Sequence, residues 1–384
     1  MSRVVFIGSD SAMMVKFRGR LIETIVEHGH EVIGCNPDHD EAWTAPLRQK
    51  GVSFQTFAID PRGSNPLEEL RGLLTLTAMM RDLRPDVVVA YTPKHFSYGA
   101  IAAKLAGVAG IHGIISGLGY VHTTEQDDLK FRVLKLLTEQ LYRAACLCAD
   151  HVFFQNPDDL AFFVDHRFLL QPHKAIRVNG SGVDLDTYAF APPIEAPIRF
   201  LLVARLLLHK GLGEFVEAAR LLKPRYPEAE FLLLGPLHDN PAGVQRHHVE
   251  AWEAEGLVRW LGSTSDVRPT LRDASVMVLP SYREGTPNSV LEALAMGRPI
   301  ITTDAPGCRE TVEHGVNGFL VPIKQVPPLA EAMERFLLDP SLIAPMGAAS
   351  RALAARKFDV RRVIETQMRA MGLWRALTPQ PPLP

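Results

Sequence analysis

Short apolar runs alternate with longer stretches whose apolar positions recur every three or four residues, and the alternation starts at the first residues. RVVFIG is followed by FRGRLIETIVEHG, then by HEVIGCN; DVVVAYT, SYGAIAAKLAG, IHGIIS and HVFFQN continue the series. The first kind reads as strand and the second as helix. The strand runs lack the apolar-polar alternation of a sheet with one wet face. The pattern therefore predicts parallel strands covered by helices on both sides.

The rhythm pauses at VNGSGVDLDTYAFAPPIEAP, rich in Gly, Pro and Asp, which reads as a linker. It restarts with IRFLLVARL, the helix GEFVEAARLLKPRYP, AEFLLLGP, VRWLG, ASVMVLPS, the helix NSVLEALAMG, RPIITTD and GFLVP. Two similar α/β halves predict a two-lobed molecule with a cleft, and ligands in such open sheets meet the carboxyl ends of the strands. A long last helix, from about Pro340 to Leu377, can cross back over the linker, and TPQPPLP closes the chain as a tail.

Composition narrows the classes. A net charge of -2 over 384 residues gives no basic footprint for nucleic acid, so any charged substrate must meet a local patch. Four scattered cysteines make neither a disulfide framework nor a zinc array. The apolar run in MSRVVFIGSD is too short for a signal peptide, and no stretch is apolar enough to span a bilayer, so a cytoplasmic location is expected.

The densest chemistry lies in SYREGTPNSVLEALAMGRPIITTD, residues 281–304. Glu284 follows a buried strand, and Glu292 falls in the first turns of a helix starting at Thr286, with Pro287 at its first position, or at Ser289. Such a start offers unpaired N–H groups to a phosphate. Ser289-x-x-Glu292 is equally a capping box, and Glu284 alone reads as a solvated loop acid. Arg205 and Lys210, just after the first strand of the second half, can clamp a diphosphate or be ordinary surface charges. The first loop, GSDSAMMVKFRG, lacks G-x-G-x-x-G, which argues against a dinucleotide.

In order along the chain, VARLLLHKG, PSYREGTPNSVLEALAMGRPIITTD and VNGFLVP resemble the retaining GT-B glycosyltransferases of the GT4 family, whose E-x7-E pair is matched by Glu284 and Glu292. GSGVDLDTY resembles that family's interdomain linker. The resemblance implies an α/β GT-B fold of two Rossmann-like doubly wound domains facing across a cleft. Residues 1–185 would form the acceptor-binding domain, 186–357 the nucleotide-sugar-binding domain, and 358–384 a C-terminal helix with the Pro-rich tail. By similarity Glu292 would hold ribose hydroxyls and Glu284 would approach the donor sugar. Arg205 and Lys210 would neutralise the leaving diphosphate. Gly285, Thr286, Pro287, Asn288 and Ser289 would line phosphate and sugar, and Leu261 and Gly262 the base. The implied reaction is retaining transfer of a sugar, favoured as an N-acetylhexosamine, from a UDP-sugar co-substrate, with no cofactor and no metal.

FRGRLIETIVEHGHEV, AYTPKHFSYGAIAAKLAGV and SGLGYVHT resemble the bacterial enzymes that build capsule, O-antigen or N-glycan precursors on undecaprenyl diphosphate. This implies a polyprenyl-diphosphate-linked acceptor met by Lys16, Arg18, Tyr91, Thr92, Lys94, Gly117, Leu118 and Gly119. Lys16 and Arg18 read equally as helix-start charges, and SGLG as a simple turn. Where relatives carry a histidine near the donor sugar, this chain has Ser116-Gly117, so no catalytic base carries over. LKFRVLKLLTEQLYRAACLCAD reads either as a helix lying on the anionic inner face of the cell membrane or as a buried helix. The competing functions are a transferase with a soluble acceptor, a non-catalytic nucleotide-sugar binder and, more distantly, a nicotinamide-dependent dehydrogenase.

Overall fold

The computed structural model describes residues 1–57, 66–118, 122, 128–237 and 243–374. The chain divides into two units, one of residues 1–181 with 362–374, the other Gly182–Arg361. Among the described residues, no helix is long and apolar enough to cross a membrane.

The first unit is built on seven parallel strands: β1 (Arg3–Ile7), β2 (Glu31–Asn36), β3 (Ser53–Thr56), β4 (Val87–Tyr91), β5 (Gly110–Ile115), β6 (His151–Phe154) and β7 (Ala175–Arg177). They lie in the order β3-β2-β1-β4-β5-β6-β7. β1 sits between its two neighbours in register, with Val5 opposite Ile33 on one side and Val88 on the other. Its residues Val4 to Ile7 are fully buried, as a strand covered on both faces must be. After the second unit the chain returns to this one: the imidazole Nε2 of His30 lies 2.9 Å from the carbonyl of Leu373, and Trp374 packs on His28. The long terminal helix read from the sequence is broken. Ile343–Leu353 and Val360–Ala370 are separate helices, divided by a wide turn over Ala354–Phe358 and an extended Asp359. Asp359 accepts from the N–H of Arg361 at 2.9 Å and so starts the second helix.

The second unit has six parallel strands: β8 (Arg199–Val203), β9 (Glu230–Leu234), β10 (Arg259–Trp260), β11 (Val276–Leu279), β12 (Ile300–Thr303) and β13 (Gly318–Val321), ordered β10-β9-β8-β11-β12-β13. Alternate residues feed two cores. Phe200, Leu202, Phe231, Leu233 and Val278 pack with the helices Leu212–Leu222 and Val326–Leu338. Leu201, Leu232, Leu234, Met277 and Leu279 pack with the helix Asn288–Ala295. The period of two along each strand makes this division.

Two buried histidines tie the first unit's stability to pH. Burial and the neighbouring His151 lower His112 on β5 from 6.5 to about 4, and burial with the charge of Lys94 does the same to His95. The unfolded chain takes up these protons below about pH 6.5 and the folded chain only near pH 4, so the unfolded state binds more protons within this window. Stability should fall as pH falls through it, by about 2 kcal/mol per histidine at pH ~5. Urea titrations across the window check this. His112→Asn should flatten the slope, and an unchanged slope would remove His112 from the effect.

Candidate functional site

In the second sheet the strand order reverses between β8 and β11, the place where open α/β sheets leave a crevice at the carboxyl ends. The loop after β8 carries Arg205, exposed, and Lys210, which ends a single 3-10 turn over Leu208–Lys210. The loop after β11 carries Glu284. The Lys210 ammonium is hydrogen-bonded to Glu284 Oε1, and both side chains are about seven-eighths buried, at 13% and 14% exposure. They are therefore not a loose surface pair, and each charge relies on the other for the hydration it has lost.

Backbone bonds stitch the two loops together. Tyr282 N–H donates to the His209 carbonyl at 3.0 Å and Ser281 Oγ to the same carbonyl at 3.2 Å. Glu284 N–H reaches the Pro306 carbonyl at 3.0 Å. Gly307, at φ +78°, lies so close behind that an added Cβ would stand 2.2 Å from the Glu284 carbonyl oxygen and 2.5 Å from that of Gly285. Cys308 is buried beneath, its Sγ 3.9 Å from the Ser281 carbonyl; burial, then the Glu284 charge, pushes the thiol up to about 12, so it stays neutral.

Gly285, Thr286 and Pro287 are buried, with Thr286 Oγ1 donating to the Gly285 carbonyl at 2.9 Å. The helix begins at Asn288, between the two starts the sequence allows, and Pro287 is its cap residue with no side-chain cap bond. Ser289 lies at the second helical position rather than at the cap, so the Ser289–Glu292 capping box does not organise this start. Asn288 and Ser289 occupy the first two helical positions, whose N–H groups have no partner inside a helix. One turn on, the buried Glu292 accepts a 3.0 Å hydrogen bond from the phenol of Tyr188. Burial and the Glu292 charge hold that phenol above its ordinary range, which keeps it a donor. Leu261 and Gly262 follow β10: Leu261 is exposed, and Gly262 accepts from Gly235 N–H at 2.7 Å.

The first sheet reverses between β1 and β4. Tyr91 ends β4, and Thr92 follows at φ 66° and ψ 147°, a conformation costly for a residue with a side chain. It is held by His95, whose Nδ1 is 2.9 Å from Thr92 Oγ1, and by Phe96 N–H donating to the Thr92 carbonyl at 2.8 Å. Arg18 is buried instead of being a helix-start surface charge. It donates to the Phe17 carbonyl at 3.1 Å and Ser181 Oγ at 2.9 Å, and its guanidinium lies 5.4 Å from the Tyr91 ring centre. Burial lowers it to about 10, leaving it charged at neutral pH. Arg18 Nε, Tyr91 Oη and His95 Nε2 are buried with no hydrogen-bond partner among the described residues.

The other first-unit candidates differ. Lys94 is paired with Glu69 at 2.6 Å, and Lys16 is exposed. Leu118 is buried, offering its carbonyl to Tyr142 Oη at 3.0 Å, and Gly117 is half-buried at φ 133°. Gly119 lies outside the described residues. The N-terminus of the helix Ser11–Glu27 is taken by carboxylates: Asp10 accepts from Met13 N–H at 2.7 Å and Asp38 from Ser11 N–H at 2.8 Å. That start disfavours an anion and favours hydroxyl groups.

Comparison with known sequences decides the family. The profile described as "Glycosyl transferase 4-like domain" matches residues 14–178, and that of "Glycosyl transferases group 1" matches 197–339. The chain belongs to the GT4 glycosyltransferases of GT-B fold. Among its relatives, the N,N'-diacetylbacillosaminyl-diphospho-undecaprenol alpha-1,3-N-acetylgalactosaminyltransferase of Campylobacter jejuni is 27% identical over 88% of this chain and 90% of that protein. The UDP-Gal:alpha-D-GlcNAc-diphosphoundecaprenol alpha-1,3-galactosyltransferase of Escherichia coli is 25% identical over 71% of this chain and 72% of its own. Anabaena HepE, solved with UDP and glucose, has the same fold, with a TM-score of 0.76 at 18% identity, covering 97% of this chain and all of that one.

In this glycosyltransferase the second unit brings Lys210, Glu284 and the Gly285–Ser289 segment together through paired loops, with Arg205 on the same β8 loop. Sequence reading passed over three contributors. His95 stands in AYTPKH, three residues after Thr92, a spacing that places it on the first turn of the next helix. Tyr188 lies in the linker motif, 104 residues from the Glu292 it contacts. Gly307 has no side chain to draw notice.

Proposed function

We propose that this glycosyltransferase moves a sugar, an N-acetylhexosamine by preference, from a UDP-sugar to a polyprenyl-diphosphate-linked saccharide, with retention of configuration. The observation that carries the reading is the buried Lys210–Glu284 pair at the β8/β11 switch point, beside a helix start free of a side-chain cap. The ammonium and the N–H groups of Asn288 and Ser289 supply positive potential where a diphosphate departs, with the exposed Arg205 adding a further donor. Glu292, fixed by Tyr188, presents its carboxylate to ribose hydroxyls. Glu284, neutralised by Lys210, can accept from a sugar hydroxyl without a bare charge facing the phosphates. Departure of the diphosphate leaves an oxocarbenium-like carbon, and the acceptor hydroxyl attacks on the face the leaving group vacated, passing its proton to the departing phosphate oxygen. No metal ion is required in this scheme, and transfer should continue after chelation.

The acceptor and stereochemistry draw support from the relatives. Both named above act on sugars linked to diphospho-undecaprenol and form alpha-1,3 bonds. An alpha product from an ordinary α-linked UDP-hexose is retention. In the first unit, Asp10 and Asp38 at the helix start, with buried Tyr91, His95 and Arg18, suit a sugar's hydroxyls better than its diphosphate. A thermal-shift panel of UDP, GDP and ADP sugars tests donor choice. A UDP-sugar at about 100 times its dissociation constant should stabilise the fold by about 2.7 kcal/mol. The shift should vanish in Glu292→Ala; persistence there would take Glu292 out of the donor site.

A further inference from the structure

The helix Leu129–Cys148 of the first unit is apolar on two faces. Phe131, Tyr142, Ala145 and Cys146 are buried in the core. On the other side Leu129, Val133, Leu136 and Leu137, spaced as one stripe of a helix, are 77%, 50%, 56% and 56% exposed, with Leu134 beside them at 41%. Five large apolar side chains bared within nine residues exceed the scattered exposure normal for a surface. The ten residues 129–138 carry Lys130, Arg132 and Lys135 and no acid, and Arg132 and Lys135 are exposed.

A second helix repeats the apolar stripe at the same end, though not its all-cationic setting. On Pro66–Leu83, Leu67, Leu70 and Leu74 form a stripe at 69%, 54% and 59% exposure, with Glu68 and Arg71 both exposed among them. The helix Pro93–Ala106 lies between these two and touches both. Both stripes occupy the N-terminal halves of their helices. In a parallel α/β unit those halves lie toward the carboxyl ends of the strands. The ion pair between Glu69 and Lys94, just beyond β4, places the first stripe there, and the bond from Tyr142 to the Leu118 carbonyl ties the other helix to the loop after β5. Leu105 and Leu147, near the C-terminal ends of their helices, are isolated exposures.

We propose that these two stripes are a docking surface for an anionic lipid bilayer: the leucines and Val133 enter the acyl boundary, and Arg132, Lys135 and Arg71 meet the headgroups. Charge complementarity selects this occupant, since a leucine stripe interleaved only with cations on Leu129–Thr138 matches an apolar layer under an anionic surface. A protein partner would call for a polar rim of mixed sign along that stripe; Glu68, beside the second one, leaves the charge match to Leu129–Thr138. The surface flanks the Tyr91–Lys94 and Gly117–Leu118 loops, so an acceptor carried on a membrane-embedded polyprenol would reach them from the lipid; that part rests on the acceptor reading above.

Flotation of the full chain with phosphatidylcholine vesicles, with and without phosphatidylglycerol, tests the surface without needing activity. The protein should float with the phosphatidylglycerol vesicles and release at high salt. V133S/L136S/L137S should bind about a hundredfold more weakly, and R132Q/K135Q should lose the preference for phosphatidylglycerol. Since these positions are exposed, unfolding temperatures and transfer to a detergent-dispersed acceptor should match wild type. Equal flotation of the serine variant, or none by wild type, would overturn the proposal, as would a wild-type dimer in solution that the serine variant alone dissolves. Flotation without any sugar transfer would instead count against the proposed function and leave the surface standing.

Discussion

Lys210→Ala should lower turnover at least about a hundredfold, the loss seen when one well-placed donor to a developing anion is removed. The fall should appear in kcat with KM for the nucleotide sugar little changed, because the ammonium gains most as the diphosphate takes on charge. The same substitution also takes from the mostly buried Glu284 the cation that pairs with it, and losing that opposite charge destabilises the fold. Two causes of lost activity must therefore be separated. The double variant Lys210→Ala/Glu284→Ala removes that carboxylate as well and should recover much of the unfolding temperature. Turnover should stay low. If activity returned together with stability, the pair would be structural and its catalytic role would fall.

Gly307→Ala should be nearly as damaging, by about a hundredfold in kcat/KM, although it adds only a methyl group. The backbone at φ +78° disfavours any side chain, and the new Cβ would press on the carbonyl oxygens of Glu284 and Gly285 at 2.2 and 2.5 Å. Those atoms are backbone and cannot swing away like a side-chain end, so the Glu284 loop must move. Displacing a reacting constellation by about an ångström costs on the order of a hundredfold. Gly315→Ala is the control: it shares φ +78° but has nothing within 4 Å of its Cβ. Comparable kinetics for the two alanine variants would show that backbone strain alone is responsible and that the loop is not held by this contact.

The apolar runs named eleven of the thirteen strands among the described residues, ten of them because they are buried along nearly their whole length. β10, an edge strand of one exposed and one half-buried residue, was legible through the buried Val258 that opens VRWLG. The two that escaped, β3 with the sequence SFQT and β7 with AIR, are the outer strands of the first sheet and are half-buried or exposed, so burial did not select a continuous apolar run. The terminal helix read as one because its apolar period continues through Asp359, where only the local backbone turns the chain. At the site, Lys210 and Glu284 were legible as residues following strands. Their pairing was not, since it depends on β8 and β11 becoming neighbours across 74 residues. The capping box was a sound local reading defeated by the helix starting at Asn288, with Pro287 at the cap position and Ser289 already inside the first turn. Arg18 looked like a surface charge because nothing near it in sequence announces Ser181, 163 residues away.

The most direct measurement is sugar transfer itself. The protein, a panel of UDP-sugars and a polyprenyl-diphosphate-linked N-acetylhexosamine should be incubated together, the product followed by mass spectrometry and its new linkage assigned by NMR. One UDP-sugar should extend the acceptor by a single residue in an alpha linkage, and Lys210→Ala should reduce that extension at least about a hundredfold. Extension with a beta linkage from an α-linked donor would contradict retention. A UDP-sugar bound, as shown by thermal shift, but transferred to neither this acceptor nor a soluble saccharide would mean that the site holds a nucleotide sugar without being a catalyst.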